Sequence, residues 1–216
     1  MCIRDRVQVI REKGLDFSRA LRSLMRQDPD IILVGETRDK ETAQTAMEAA
    51  LTGHMVFTTL HANDTATAIT RLNEMGIPPY LVGSSVVGVM AQRLIRRICP
   101  KCSTSRSVDS EKDKLAQQHG IQVLKKATVI DLSNNSSKEL CPICNGTGYK
   151  GRLGLYEVMK VNDPIRELIM KSSTADVIRE CASNNGVKNL LNYGMDLVKE
   201  GLTTIEEVER VCLLND

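Results

Sequence analysis

The chain has 216 residues, of which 42% are apolar and 26% are charged, a composition typical of a globular protein. Its 29 lysines and arginines exceed its 27 aspartates and glutamates by only two, which excludes the strongly basic surface of a general nucleic-acid or membrane-surface binder. Apolar runs such as residues 31–34 and 86–90 are far too short to span a bilayer.

The first six residues resemble the translation of a sequencing adapter rather than natural protein sequence. A genuine basic N-terminus is the alternative. We expect the protein's own sequence to begin near Val7, partway along a longer chain, and we leave residues 1–6 out of the fold prediction.

The first part of the chain alternates predicted strands and helices. Residues 7–10 alternate weakly and predict a strand fragment, and the spacing of apolar residues predicts a helix over 18–27. The continuous apolar run 31–34 predicts a strand that is buried on both faces, as in a parallel sheet.

Two aspartates stand where helix N-caps are expected. Asp39 precedes a helix predicted over residues 41–51, and Asp64 precedes one that runs to about residue 75. A short strand is predicted between these helices, at residues 55–60. The order strand, helix, strand, helix is typical of a parallel α/β sheet.

The composition of the chain changes at Cys99. Before it, apolar spacing predicts a long helix over residues 81–97. After it, residues 103–137 carry few apolar side chains, which predicts a variable, exposed insertion. A strand is predicted over residues 154–159.

The last part of the chain is predicted to be helical. Pro164 follows Asp163 at the start of one helix, where a proline's missing N–H has no cost. Thr174 is positioned to cap the next helix. Thr203 or Thr204, with a glutamate three residues on, predicts a capping box for the last helix.

Four cysteines form two matched Cys-Pro-x-Cys motifs with 38 residues between them: Cys99, Cys102, Cys141 and Cys144. A two-residue gap lets both thiolates of a motif reach one tetrahedral Zn²⁺, and four sulfurs complete a closed structural site. A disulfide pair is the first alternative, which the absence of an export signal disfavours. A redox dithiol is the second, and it requires one such motif rather than two.

A glycine pattern follows the second cysteine motif. Gly146, Gly148 and Gly151 fit G-x-G-x-x-G, the dinucleotide-binding fingerprint, but that motif requires a strand before it and a helix after it. Here a cysteine motif precedes the pattern and a predicted strand follows it. We therefore expect these glycines to let the chain turn beneath the metal site.

Candidate catalytic side chains follow the two predicted strands. Glu36 comes just after the first strand, and Thr58, Thr59 and His61 lie at the end of the second. In open parallel sheets, ligands bind beyond the carboxyl ends of the strands. A carboxylate there can orient or deprotonate a water, and hydroxyl and imidazole donors can contact a terminal phosphate. The alternative is that Glu36 is a solvated loop residue, that His61 ends a strand, and that His54 interacts with a helix end.

Four segments together resemble the secretion ATPase superfamily, and within it the type II secretion and type IV pilus assembly ATPases. They are residues 24–39 (LMRQDPDIILVGETRD), 52–64 (TGHMVFTTLHAND), 91–102 (AQRLIRRICPKC) and 144–158 (CNGTGYKGRLGLYEV). The resemblance covers the chain from about Val7 onward.

The resemblance implies a partial RecA-like α/β core with a parallel sheet, a tetracysteine zinc knuckle and a C-terminal helical subdomain. It implies that Glu36 is the Walker B catalytic glutamate and that His54 and His61 are the paired histidines of the family's histidine box. Thr58 and Thr59 are candidate nucleotide contacts. It gives no role for Arg38, which lies in the same Walker B motif.

The implied whole protein is a homo-hexameric motor that uses ATP and Mg²⁺ and carries structural Zn²⁺. It would drive pilin or pseudopilin assembly from the cytoplasm, held at the inner membrane through a platform protein. No G-x-x-x-x-G-K-[ST] phosphate-binding loop occurs in the 216 residues, so we expect a fragment that is inactive alone.

The expected division of the chain is an adapter scar at 1–6, the C-terminal half of an ATPase core at 7–98, a zinc knuckle with a polar insertion at 99–160, and a helical subdomain at 161–216. The competing class is a zinc-ribbon module that binds nucleic acid through basic residues near the first cysteine motif. The near-neutral charge and the scarcity of aromatic residues argue against it, and we expect no nucleic-acid partner.

Overall fold

The computed structural model describes residues 6–109, 112–130 and 140–212. All but the last residue of the predicted adapter scar therefore lies outside the described residues. The chain divides into two compact units. The first comprises the described residues up to Val89 together with Met159–Gly186, and the second comprises Met90–Val158 with the described residues from Val187 onward.

The first unit is an α/β unit with elements in the predicted order. Its helices and strands are α1 (Phe17–Leu24), β1 (Ile31–Val34), α2 (Lys40–Leu51), β2 (Met55–Thr58), α3 (Thr65–Glu74), α4 (Pro79–Ser85), α6 (Asp163–Met170) and α7 (Ala175–Asn184). The strand predicted over residues 7–10 is wrong, because the structure has there only an isolated bridge between Ile10 and Leu15.

Side-chain caps fix where these helices begin. Asp39 accepts a hydrogen bond from the Thr42 backbone N–H at 2.8 Å, and Asp64 accepts one from that of Thr67 at 2.7 Å. Both bonds satisfy N–H groups that have no partner within the helix. The two predicted aspartate caps are confirmed. Asn162 provides the cap of α6, with the proline in its first turn as predicted.

Strands β1 and β2 pair in parallel, with Ile31 opposite Met55 and Leu33 opposite Phe57. The prediction that β1 is buried on both faces is wrong for the described residues. Ile32 and Val34 are buried against α1 and α2, whereas Ile31 and Leu33 are 54% and 55% exposed. Since their partners on β2 are also about half exposed, this face of the pair is apolar and largely open.

The long helix predicted over residues 81–97 is also wrong. The helix α4 ends at Ser85, and the segment Gly88–Ile98 is the strand β3, which pairs with β6 (Tyr149–Lys160). The buried residues Ala91, Ile95 and Ile98 are spaced by four and three, which imitates a helical face. Pairing with a strand that lies more than fifty residues further along the chain overrides this local pattern.

The second unit contains most of β3 and β6 together with β4 (Thr104–Ser107), α5 (Lys114–Gln118), β5 (Val123–Lys126), α8 (Leu190–Lys199) and α9 (Ile205–Cys212). Strands β4 and β5 are antiparallel. Its core is aliphatic and includes Ile95, Leu155, Met195 and Val208.

Part of the predicted insertion belongs to this core. Ala116, Ile121 and Leu124 are 0%, 5% and 1% exposed and join the same hydrophobic cluster, so the prediction of an exposed insertion over 103–137 is wrong for these residues. Ala116 lies in α5, Leu124 lies in β5, and Ile121 lies in the segment between these two elements. Residues 131–137 lie outside the described part of the chain.

A buried carboxylate joins α9 to β3. The Glu207 side chain is fully buried, and it accepts hydrogen bonds from the backbone N–H of Arg96 at 3.0 Å and from the guanidinium groups of Arg96 and Arg210, at 2.7 Å each for the closest contacts. The Arg96 guanidinium also lies 4.1 Å above the ring of Tyr149. Of the predicted capping box, only the bond from the Glu207 N–H to the Thr204 hydroxyl forms, at 3.3 Å.

Replacing Glu207 with glutamine is expected to lower the free energy of unfolding by about 3–5 kcal/mol, since it leaves two arginines beside a buried neutral group. Burial raises the pKa of Glu207, but hydrogen bonds from Arg210 and Arg96 outweigh burial and lower it to about 2 from 4.5. The carboxylate's contribution is therefore present above pH 4.5 and is lost as pH falls toward 2. Denaturant unfolding at pH 7 and pH 3 measures both effects.

The matched control is Glu206→Gln, whose exposed side chain lies on the same helix. Equal stability of the two variants at pH 7 would contradict the prediction.

Within the described residues, no helix combines the length and apolar character that a membrane crossing requires.

Candidate functional site

The carboxyl ends of β1 and β2 meet at one edge of the parallel pair. Val34 lies opposite Thr58 in the register, so the residues that follow each strand emerge side by side. Glu36 follows β1, and Thr59 and His61 follow β2. The structure thus brings four of the predicted site residues to the edge where ligands of parallel sheets bind.

Hydrogen bonds fasten the two strand exits together. The Thr37 backbone N–H donates to the Thr59 carbonyl at 2.9 Å, and the Thr59 hydroxyl donates to the Gly35 carbonyl at 2.7 Å. The Thr37 and Thr58 hydroxyls are 2.8 Å apart. Both candidate threonines are therefore engaged in holding the loop that carries Glu36. Thr37 itself is buried, and no sequence motif predicted its part in this arrangement.

Nitrogen atoms of two side chains approach the same oxygen of Glu36. The Nη2 atom of Arg38 lies 2.7 Å from Glu36 Oε2, and Nε2 of His61 lies 3.8 Å from it. The Glu36 side chain is 31% exposed, so water reaches it. A fixed, accessible carboxylate can orient a water molecule and accept its proton. No sequence pattern predicted a role for Arg38, although it lies only two residues after Glu36.

His54 lies at the opposite end of β2 from His61. Its Nδ1 atom is 3.0 Å from the Ala49 carbonyl and 3.2 Å from the Thr52 hydroxyl, at the end of α2. Because a strand rises about 3.3 Å per residue, the four residues of β2 keep the two histidines roughly 10 Å or more apart. The structure does not bring the two histidines together, and His54 occupies the helix-end position that was the alternative.

A second candidate site is the cluster formed by the four cysteines. Their sulfur atoms all lie within 4.8 Å of one another, with Cys99 and Cys141 at 3.8 Å and Cys102 and Cys144 at 3.5 Å. Zn–S bonds of about 2.3 Å in a tetrahedron separate sulfurs by about 3.8 Å. The cluster therefore has the size and donor set for one tetrahedral metal ion.

Tight turns bring the second cysteine motif into place. Asn145, Gly146 and Gly148 have φ angles of 51°, 80° and 74°, the left-handed region that glycine adopts without strain. A Cβ on Gly148 would lie 2.9 Å from the Ala127 side chain, and the Gly148 carbonyl accepts from the Cys99 N–H at 2.9 Å. The expected turn is confirmed, and β6 rather than a helix follows it.

The thiols of the cluster differ in acidity. Burial raises the pKa of Cys102 to about 12, with hydrogen bonding to the Cys144 sulfur acting in the same direction. Burial also raises the pKa of Cys144, but backbone N–H donors, Gly148 first, outweigh it and lower that pKa to about 6. Backbone donors aimed at sulfur stabilise thiolate, the form that binds metal.

Comparisons with known proteins place these features in a family. The model of the family described as Type II/IV secretion system protein matches residues 4–210. The type IV pilus assembly ATPase PilB of Thermus thermophilus is 44% identical over 209 residues, which cover 94% of this chain and 22% of that protein. The type II secretion system ATPase E of Vibrio cholerae is 42% identical over 204 residues, covering 94% of this chain and 39% of that protein.

Solved structures share the fold. The pilus retraction motor PilT with bound ADP aligns with a TM-score of 0.60 and 26% identity over 91% of this chain and 43% of its own. The ATPase DotB of Yersinia pseudotuberculosis aligns with a TM-score of 0.61 and 19% identity over 94% of this chain and 42% of its own. The chain thus spans less than half the length of these relatives. The predicted RecA-like α/β class with a parallel sheet is confirmed, and the protein belongs to the type II/IV secretion system protein family.

Proposed function

We propose that this chain is part of an ATP-hydrolysing motor of a type II secretion or type IV pilus assembly machine, which powers pseudopilin or pilin polymerisation. The observation that carries the proposal is the Glu36 carboxylate, fixed and accessible at the carboxyl edge of the parallel pair. Two relatives, 44% and 42% identical to this chain, are named as ATPases, which supports ATP hydrolysis as the reaction.

In this proposal Glu36 acts on the water that attacks the terminal phosphate. Its carboxylate orients that water and accepts a proton, while the threonine bonds between the strand exits hold its loop still. The exposed His61 imidazole donates toward the phosphate oxygens. Bound Mg²⁺ would neutralise charge on the phosphates of ATP. The bonds of His54 to the end of α2 suit a role in positioning β2, so we assign it no contact with nucleotide.

We further propose that the four cysteines hold one structural Zn²⁺. The sulfur spacing fits a tetrahedron, and four sulfur ligands leave no open position for catalysis. We also propose that residues 99–160 form the zinc knuckle with its polar insertion and that residues 161–216 form the helical subdomain.

The remaining proposals concern the whole protein. They are a homo-hexamer, a cytoplasmic position at the inner membrane, and attachment through the machine's platform protein, all implied by the resemblance to the secretion ATPase superfamily.

Phosphate release from ATP by the full-length protein tests the proposed function. Magnesium-dependent turnover is the expected result. Failure of the full-length protein to hydrolyse ATP, combined with salt-sensitive binding to oligonucleotides, would instead support the zinc-ribbon class.

The 216 residues alone are expected to show no ATP binding by isothermal titration with Mg²⁺ and no phosphate release. A phosphate-binding loop supplies several N–H donors and a lysine to the β- and γ-phosphates, and this sequence has no such motif. The full-length protein is the positive control. Micromolar binding by the 216 residues would show that the nucleotide site lies elsewhere than proposed.

A further inference from the structure

The ion pair between Glu36 and Arg38 calls for an explanation other than folding stability. The two side chains are 31% and 59% exposed, and exposed ion pairs contribute only about 0–1 kcal/mol to stability. The pair nevertheless involves Glu36, the carboxylate that the proposed function places beside the attacking water. The ion pair instead bears on the chemistry of Glu36, because Arg38 contacts the Oε2 oxygen and leaves the Oε1 oxygen for other partners.

The backbone on both sides of Arg38 is fixed. Thr37, which precedes it, is buried and bound to the end of β2 through its backbone N–H. Asp39, which follows it, caps α2 through a 2.8 Å bond to the Thr42 N–H. Glu36 and Arg38 thus lie on either side of the buried residue Thr37, and their side chains contact each other. The pair is built into the loop rather than formed by two free surface chains.

We propose that Arg38 is a positioning residue for Glu36, whose Oε2 it holds so that Oε1 is the oxygen that acts on water. This inference rests on the proposed function. Water then loses a proton to Oε1, its oxygen bonds to the terminal phosphorus, and the bond from that phosphorus to ADP oxygen breaks. The guanidinium charge also offsets the repulsion between the carboxylate and the phosphates.

Kinetics distinguish this positioning role of Arg38 from the alternative role, in which Arg38 contacts the nucleotide directly. A positioning residue changes the rate of the chemical step and leaves ATP affinity in place, whereas a phosphate contact changes KM as well. A residue that acts through Glu36 has no further effect once Glu36 is gone.

The test uses the full-length protein and measures phosphate release against ATP concentration for Arg38→Ala, Arg38→Lys, Glu36→Gln and the double variant Glu36→Gln/Arg38→Ala. We expect Arg38→Ala to lower kcat by about tenfold to a hundredfold with KM changed less than about threefold. Arg38→Lys restores part of kcat, because it returns the charge without the planar donor. In the Glu36→Gln background, Arg38→Ala causes no further loss.

Arg71→Ala is the matched control, since that arginine forms an exposed ion pair with Glu74 in α3. It is expected to retain wild-type kcat. An unchanged kcat in Arg38→Ala, a rise in KM instead, or an added loss in the double variant overturns the inference while leaving the proposed function standing. A wild-type protein that releases no phosphate overturns the proposed function and this inference together.

Discussion

Replacing Glu36 with glutamine in the full-length protein is expected to reduce ATP hydrolysis by ~10²–10⁴-fold while ATP still binds. Glutamine keeps the size and one oxygen acceptor of the side chain but cannot take a proton from water. It also loses the charge that holds Arg38, whose Nη2 lies 2.7 Å from Oε2. Phosphate release at saturating ATP measures the loss, and isothermal titration measures the retained binding.

The matched control for this variant is Glu74→Gln. Glu74 is an exposed glutamate of the same unit that pairs with Arg71, so the change in charge is identical, and it is the last residue of α3 rather than part of the loop after β1. We expect it to hydrolyse ATP at the wild-type rate. Near-full turnover by Glu36→Gln would move the catalytic role to another residue.

Replacing Cys102 with serine is expected to abolish the binding of one zinc ion per chain and to loosen the second unit. The apparent binding free energy of structural zinc is about 10–16 kcal/mol in small domains at neutral pH, so its loss removes most of what holds the two cysteine motifs together. Bonds that depend on their position, such as Cys99 N–H to the Gly148 carbonyl, are expected to exchange hydrogen faster. The β1 and β2 amides belong to the other unit and are expected to stay protected.

Elemental analysis after purification without chelators gives the zinc content, and hydrogen exchange gives the protection of each unit. Cys181→Ser is the matched control, since this half-buried cysteine lies in α7 outside the cluster. It is expected to retain one zinc per chain. Wild-type protein that carries no metal would remove the basis for the zinc site.

Several features that depend on neighbours in the sequence were predicted correctly. The caps Asp39 and Asp64, the strand at 31–34 and the proline at the start of α6 depend on a few adjacent residues. The approach of the two sulfurs within each cysteine motif is also a local feature, because a gap of two residues is enough to bring them together.

Parallel pairing also followed from the order of elements, since a strand, helix, strand unit places both carboxyl ends at one edge. The sequence alone therefore located the edge that carries Glu36. The strand predicted at residues 55–60 likewise places His54 before it and His61 after it, and the structure has the two histidines at opposite ends of β2.

Only the tertiary structure decided which long-range partners override local patterns. The apolar spacing of residues 91–98 suits a helix, but the segment pairs with β6, and such pairing is not encoded in either strand alone. Glu206 or Glu207 was expected to complete a capping box, yet the carboxylate of Glu207 contacts Arg96, 111 residues away in sequence. A buried charge takes the partners that the packed fold brings within reach, and the sequence by itself does not specify that proximity.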